Sequence, residues 1–147
     1  MFKHILVPTD GTQFSQDAVR RAVSFAKDTG ASITAFYAKR EFQNPSHYTG
    51  GEMAYLHPWE GEANEEKRAG EILRFVEDLC REAGVKCGKL TLTSNTVYEA
   101  IIDAASSSNC DLIFMASHGR RGLSALLLGS ETHKVLTHSK IPVLVHR

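Results

Sequence analysis

Cysteine is scarce in this chain: Cys80, Cys87 and Cys110 are the three among 147 residues, and no CxxC pair occurs. An odd number at irregular spacing argues against a disulfide framework and reads as reduced thiols of a cytoplasmic protein. An excess of one charge is also missing, since 17 Lys and Arg offset 17 Asp and Glu. No global field is therefore available to recruit nucleic acid or an anionic membrane. No apolar run approaches the ~18 residues of a membrane-spanning helix. The opening "MFKHILVPTDG" has too short an apolar stretch for a signal peptide, and Asp10 interrupts it. GxGxxG, GxxxxGK[ST] and GxSxG are all absent, which argues against dinucleotide, P-loop and serine-hydrolase readings.

What remains is an ordinary soluble composition, 42% hydrophobic and 23% charged, at a length that makes one domain with a sizeable core. Short β-rich runs alternate with helical ones. "HILVPT" is a continuous apolar strand, as expected where both sheet faces are covered. Ser15 is an N-cap candidate, with Asp17 in the first turn; Ala18, Val19, Ala22, Val23 and Ala26 then share one helical face, and Gly30 ends it. Ser32 to Ala38 reads as a second strand. Glu65 to Ala83 reads as a long amphipathic helix ended by Gly84, and "KLTLT" as a third strand at a sheet edge. "TVYE", Thr96 to Glu99, has the capping-box form and opens a helix. Asp111 to Ala116 is another buried strand; helix Ser130 to His138 and strand Pro142 to His146 complete the alternation.

This pattern predicts a doubly wound, Rossmann-like α/β domain over 1–147: an open parallel five-stranded sheet of order 3-2-1-4-5, with helices on both faces. The two most apolar strands, first and fourth, become central neighbours. Ligands of open α/β sheets bind at such a switch point, beyond the carboxyl ends of the strands. "PTDGT" and "SHGRRG" converge there. Glu41 to Asn64 lacks clear periodicity and is either a flap or an insertion without function.

After the fourth strand the spacing is A-x2-G-x9-G-S, from Ala116 through Gly119 to Gly129 and Ser130. Glycines allow an anion close to the backbone, and N–H groups from Ser130 onward can face it. The same glycines can equally serve turns, with Ser130 only capping its helix. Asp10, an acidic group at the end of a buried strand, is either a ligand group or a cap for the following turn. Arg120 and Arg121 can meet phosphate or stay solvated. His118 reads as a loop histidine satisfied by backbone, since no Ser-His-Asp arrangement can be argued. His133 and His138, five apart, make a poor zinc pair.

"HILVPTDGT", "ASHGRRGLSALLLGSETHKVL" and "IPVLVHR" stand in the order of the universal stress protein family, which the chain resembles over nearly its whole length. The ATP-binding members of that family carry G-x2-G-x9-G-[S/T]; here Ala116 replaces the first glycine, which implies a site reduced in quality rather than absent. The resemblance implies an adenine nucleotide alpha hydrolase-like fold and ATP, or another adenine nucleotide, held with Mg²⁺ assistance. Asp10 would bond the ribose, Pro8 and Thr9 would shape the wall, backbone near Ala38 would read the adenine edge, and Met115 would pack near the base. Gly119, Gly129, Ser130, Glu131 and Thr132 would hold the phosphates, beside Ala116, His118 and Arg120. The resemblance also implies a homodimer through Pro142 to His146 and a stress-response module with a protein partner. A nucleotide-independent interaction module and a slow ATPase stand as the rival readings.

Overall fold

Strand and helix alternate along the chain, from β1 (His4–Pro8) and α1 (Gln13–Thr29) to β2 (Ser32–Lys39) and α2 (Pro58–Ala83). There follow β3 (Cys87–Thr93), α3 (Val97–Ser107), β4 (Leu112–Ala116), α4 (Ser130–His138) and β5 (Val143–His146). The computed structural model describes residues 1–41, 58–119 and 127–147. Its single sheet is parallel throughout, in the order β3-β2-β1-β4-β5 that the alternation predicts.

The pleat sorts the apolar strand residues into two cores. Ile5, Val7, Ile33, Ala35, Leu112 and Phe114 join the inner stripes of α1 and α2. The alternate residues Leu6, Phe36, Ile113 and Met115 join Ala100, Ile101 and Ala104 of α3 and Val135 of α4. Burial on both faces is why β1 and β4 read as unbroken apolar runs. β3, which among the described residues pairs only with β2, carries exposed Gly88 and Lys89 between half-buried Cys87 and Leu90, as an edge strand can.

Several local expectations shift. The N-cap of α1 is Thr12, not Ser15: Ser15 N donates to Thr12 Oγ1 at 3.3 Å, and the Ser15 side chain turns inward instead. Asp17 consequently lies beyond the first turn, which holds no acidic residue. The Thr96–Glu99 capping box does not form, because a carboxylate from elsewhere, Glu131, accepts from Tyr98 N at 2.9 Å and serves that helix end. Helix α2 begins at Pro58, so residues 58–64 belong to it and the long connection is shorter than read. Its remainder, 42–57, lies outside the described residues. The C-terminal glycines are where expected, with Gly30 and Gly84 in the left-handed region at φ 71° and 73°.

Candidate functional site

β1 and β4 are parallel neighbours, with Ile5 opposite Leu112 and Leu6 opposite Ile113. Their connections leave in opposite directions across the sheet, so their carboxyl ends open the switch-point crevice. Pro8, Thr9 and Asp10 arrive from one side; Met115, Ala116, His118 and Gly119 arrive from the other.

The first loop is fixed by a polar chain. Thr9 N donates to Phe36 O at 2.9 Å, which extends the β1–β2 ladder by one rung. Buried Thr9 Oγ1 accepts from Ser15 Oγ at 2.7 Å, and Ser15 Oγ accepts from Asp10 N at 3.2 Å. Asp10 Oδ1 accepts from Thr12 N at 2.9 Å and from Thr12 Oγ1 at 2.7 Å. Asp10 thus stabilises the start of α1, yet its second oxygen is directed across the crevice. A β-carbon built on Gly119 would lie 2.8 Å from Asp10 Oδ2, so the glycine is what admits the carboxylate. Gly11, at φ 79°, turns the loop and packs against Ile72 of α2.

The second loop closes on itself. Ser117 N donates to His146 O at 2.8 Å, and Gly129 N donates to Ser117 O at 2.7 Å. A β-carbon at Gly129 would meet Ser117 O at 3.1 Å and His118 Cα at 3.3 Å. The two ends of the A-x2-G-x9-G-S motif therefore touch, although Arg120, Arg121 and Gly122 lie outside the described residues. The ladder of α4 begins with His133 N donating to Gly129 O at 2.9 Å. N–H groups of Ser130, Glu131 and Thr132 precede that bond and project from the helix start, the end that favours an anion.

Two side chains in that turn are engaged elsewhere. Thr132 Oγ1, buried, donates to Ala116 O at 2.9 Å, and Glu131 caps α3 through Tyr98 N. The half-exposed Glu131 carboxylate also pairs with Lys134 Nζ at 3.7 Å, so what the turn leaves for a ligand is its backbone N–H groups. Pro8, Ala38 and Met115 continue the pleat of Leu6, Phe36 and Ile113, so all three share the α3/α4 face of the crevice. Ala116 is one residue out of phase, which puts its methyl on the opposite face from Met115.

His118 Nδ1 lies 2.9 Å from Ser117 Oγ, while its buried Nε2 has no hydrogen-bond partner among the described residues. A triad base has its second nitrogen held by a carboxylate, which His118 lacks here. No group of three His, Cys, Asp or Glu among the described residues could hold a metal ion. No described helix is long and apolar enough to cross a membrane. The sequence reading passed over Thr12 and took Ser15 only as a cap, although these are the residues that hold Asp10 and Thr9. Their spacing in "TDGTQFS" was the available signal: hydroxyls three apart at a helix start.

A doubly wound parallel sheet with an acidic loop facing a glycine-bounded helix start defines an α/β domain with an open crevice at its switch point. Residues 1–147 match the universal stress protein family, and the chain belongs to it. The universal stress protein MJ0531 of Methanocaldococcus jannaschii is 32% identical over 146 residues, spanning 99% of this chain and 82% of the relative. A universal stress protein solved in complex with cAMP superposes with TM-score 0.72 at 24% identity, over 99% of this chain and 97% of the other. One from Archaeoglobus fulgidus in complex with dAMP gives TM-score 0.67 at 18% identity, over 99% and 98%.

Proposed function

We propose that this chain binds an adenine nucleotide, ATP or a close analogue, at the crevice between β1 and β4, and acts as a homodimeric regulatory module in a stress response. The observation that carries the reading is the cradle itself. Gly119 and Gly129 meet where the first N–H groups of α4 project, with the Asp10 carboxylate opposite. Side chains would fill that space, and backbone N–H groups at a helix start suit a phosphate. The family members solved with cAMP and with dAMP support an adenine ligand for this fold.

The roles follow from where each group stands around the crevice. Asp10, whose Oδ2 lies toward Gly119, would accept from ribose hydroxyls. The N–H groups of Ser130, Glu131 and Thr132 would take phosphate oxygens, while the engaged side chains of Glu131 and Thr132 hold the turn in shape. Met115 and backbone near Ala38 would flank the base, and Pro8 would form part of the wall. Mg²⁺ would arrive on the nucleotide's own phosphates. Ala116 leaves this arrangement intact, because its methyl lies on the other face.

Isothermal calorimetry with MgATP tests the proposal. The expected Kd is on the order of micromolar, corresponding to roughly 8 kcal/mol. No heat and no thermal shift at millimolar ATP, cAMP and AMP would overturn it in favour of an interaction module that needs no nucleotide.

A further inference from the structure

Away from the crevice, at the outer edge of the sheet, two of the three cysteines are brought together. Helix α2 ends in a tight reversal: Gly84 is left-handed, and Val85 N donates to Cys80 O at 2.8 Å. This lays β3 straight back along α2. The register is marked by an ion pair, Lys89 Nζ to Glu77 Oε2 at 3.1 Å. On α2, Glu77 and Cys80 are three apart and share a face; on β3, Cys87 and Lys89 are two apart and share a face. Pairing Glu77 with Lys89 therefore sets Cys80 against Cys87. Both sulfurs belong to the same apolar cluster, with Val76 and Ile33. Cys80 is wholly buried and Cys87 is half-buried, so one thiol can be reached and the other lies behind it.

We propose that Cys80 and Cys87 are a redox modification site, forming a reversible disulfide when the protein meets a hydroperoxide. The Cys87 thiolate attacks the peroxide O–O bond and becomes a sulfenic acid, releasing water once the leaving oxygen is protonated. The Cys80 thiol then condenses with that sulfenic acid, forming the S–S bond and releasing a second water. Two thiols are oxidised and one peroxide is reduced. Contact with the partner thiol holds Cys87 below the ordinary thiol range against the opposing effect of burial, and contact with Cys87 followed by burial pushes Cys80 up. That asymmetry matches an attacking thiolate and a resolving thiol. The product would pin the C-terminal end of α2 to the edge strand. Cys110, in the other core on the opposite sheet face, has no such neighbour.

The test treats the reduced full-length chain with hydrogen peroxide, then counts free thiols after denaturation. The count should fall from three to one, with an intact mass lower by two hydrogens. Trypsin should release Phe75–Arg81 joined to Cys87–Lys89, and dithiothreitol should separate them. Cys110→Ala should give the same joined peptides, and Cys87→Ser, at a half-exposed position that tolerates the change, should give none. Three thiols remaining, a bridge to Cys110, a bridge between two chains, or sulfinic Cys87 beside a free Cys80 would each overturn the proposal.

Discussion

The Asp10 carboxylate and Gly119 face each other across the switch point so closely that any β-carbon at 119 would sit 2.8 Å from Asp10 Oδ2. Asp10 cannot yield freely, because Thr12 holds its other oxygen through two hydrogen bonds. Gly119→Ala should therefore displace the carboxylate at a cost of about 1 kcal/mol, the worth of a hydrogen bond. Nucleotide affinity should fall at least about tenfold, or ~1.4 kcal/mol, as the ribose contact is lost. Adding Gly119→Ala to Asp10→Ala should cost almost nothing further in stability. A double-mutant cycle by chemical denaturation checks this, and strictly additive effects would dismiss the packing argument.

At the other glycine the obstacle is backbone. Gly129→Val would drive a branched side chain into Ser117 O and His118 Cα, 3.1 and 3.3 Å from the first added carbon. Overpacking of this kind costs roughly 1–3 kcal/mol, and the helix start would shift with it. Binding should be abolished. Glu131→Ala is the contrasting change: it removes the cap on Tyr98 N, at about 1 kcal/mol, without touching the α4 N–H groups. It should melt earlier yet bind as the parent does. Equal loss of binding in both variants would mean that the phosphate end has been assigned wrongly.

The sheet order and the convergence of the two loops were legible because burial on both faces leaves a signal in the central strands. Ile5 to Val7 and Leu112 to Ala116 are apolar without interruption, and only central strands of a doubly covered sheet need to be. Caps were less legible. Ser15 and Thr12 are chemically equivalent candidates, and tertiary packing decides between them, since Ser15 is drawn inward by Thr9. Thr96 lost its capping role to Glu131, 33 residues from the N–H it serves, a contact no local pattern encodes.

A pH limb should report the joint between α2 and β2. Tyr37 O–H donates to Glu65 Oε1 at 2.6 Å, and burial, reinforced by that carboxylate, pushes the phenol up to about 12 from its ordinary 10.0. Folding therefore favours the protonated form. Its contribution is fully present below pH 10 and is lost as pH rises through about 12. Urea denaturation followed from about pH 9 upward should show stability falling in that window. Tyr37→Phe should be less stable at neutral pH and lack the tyrosine part of the alkaline fall. An unchanged alkaline limb in Tyr37→Phe would remove this joint from the account.

β5 lies at the open edge of the sheet opposite β3. Among the described residues this strand pairs only with β4, and Ile113 N and Ser117 N take the Pro142 and His146 carbonyls. By strand alternation the N–H and C=O groups of Val143 and Val145 then point to the open edge. All four residues of β5 are only half-buried, although three of them are apolar. Beside them, Leu128 and Leu136 are 37% and 41% exposed, and with Val145 and Arg147 they line a shallow groove of about 350 Å³. An apolar edge strand of this kind normally needs cover. A second copy pairing antiparallel across a two-fold axis would satisfy the edge groups and bury the valines together, with the same patch used twice. Val145→Lys would place two like charges near that axis, and Val143→Pro would remove one edge-facing N–H. Either should raise the dimer dissociation constant by at least about tenfold, and together they should give a monomer. Nucleotide binding should survive, since every residue assigned to the crevice comes from one chain. Sedimentation velocity decides the matter: a parent protein already monomeric at about ten micromolar, a concentration at which ~8 kcal/mol of association suffices to hold most copies paired, would end the case for β5 as an interface.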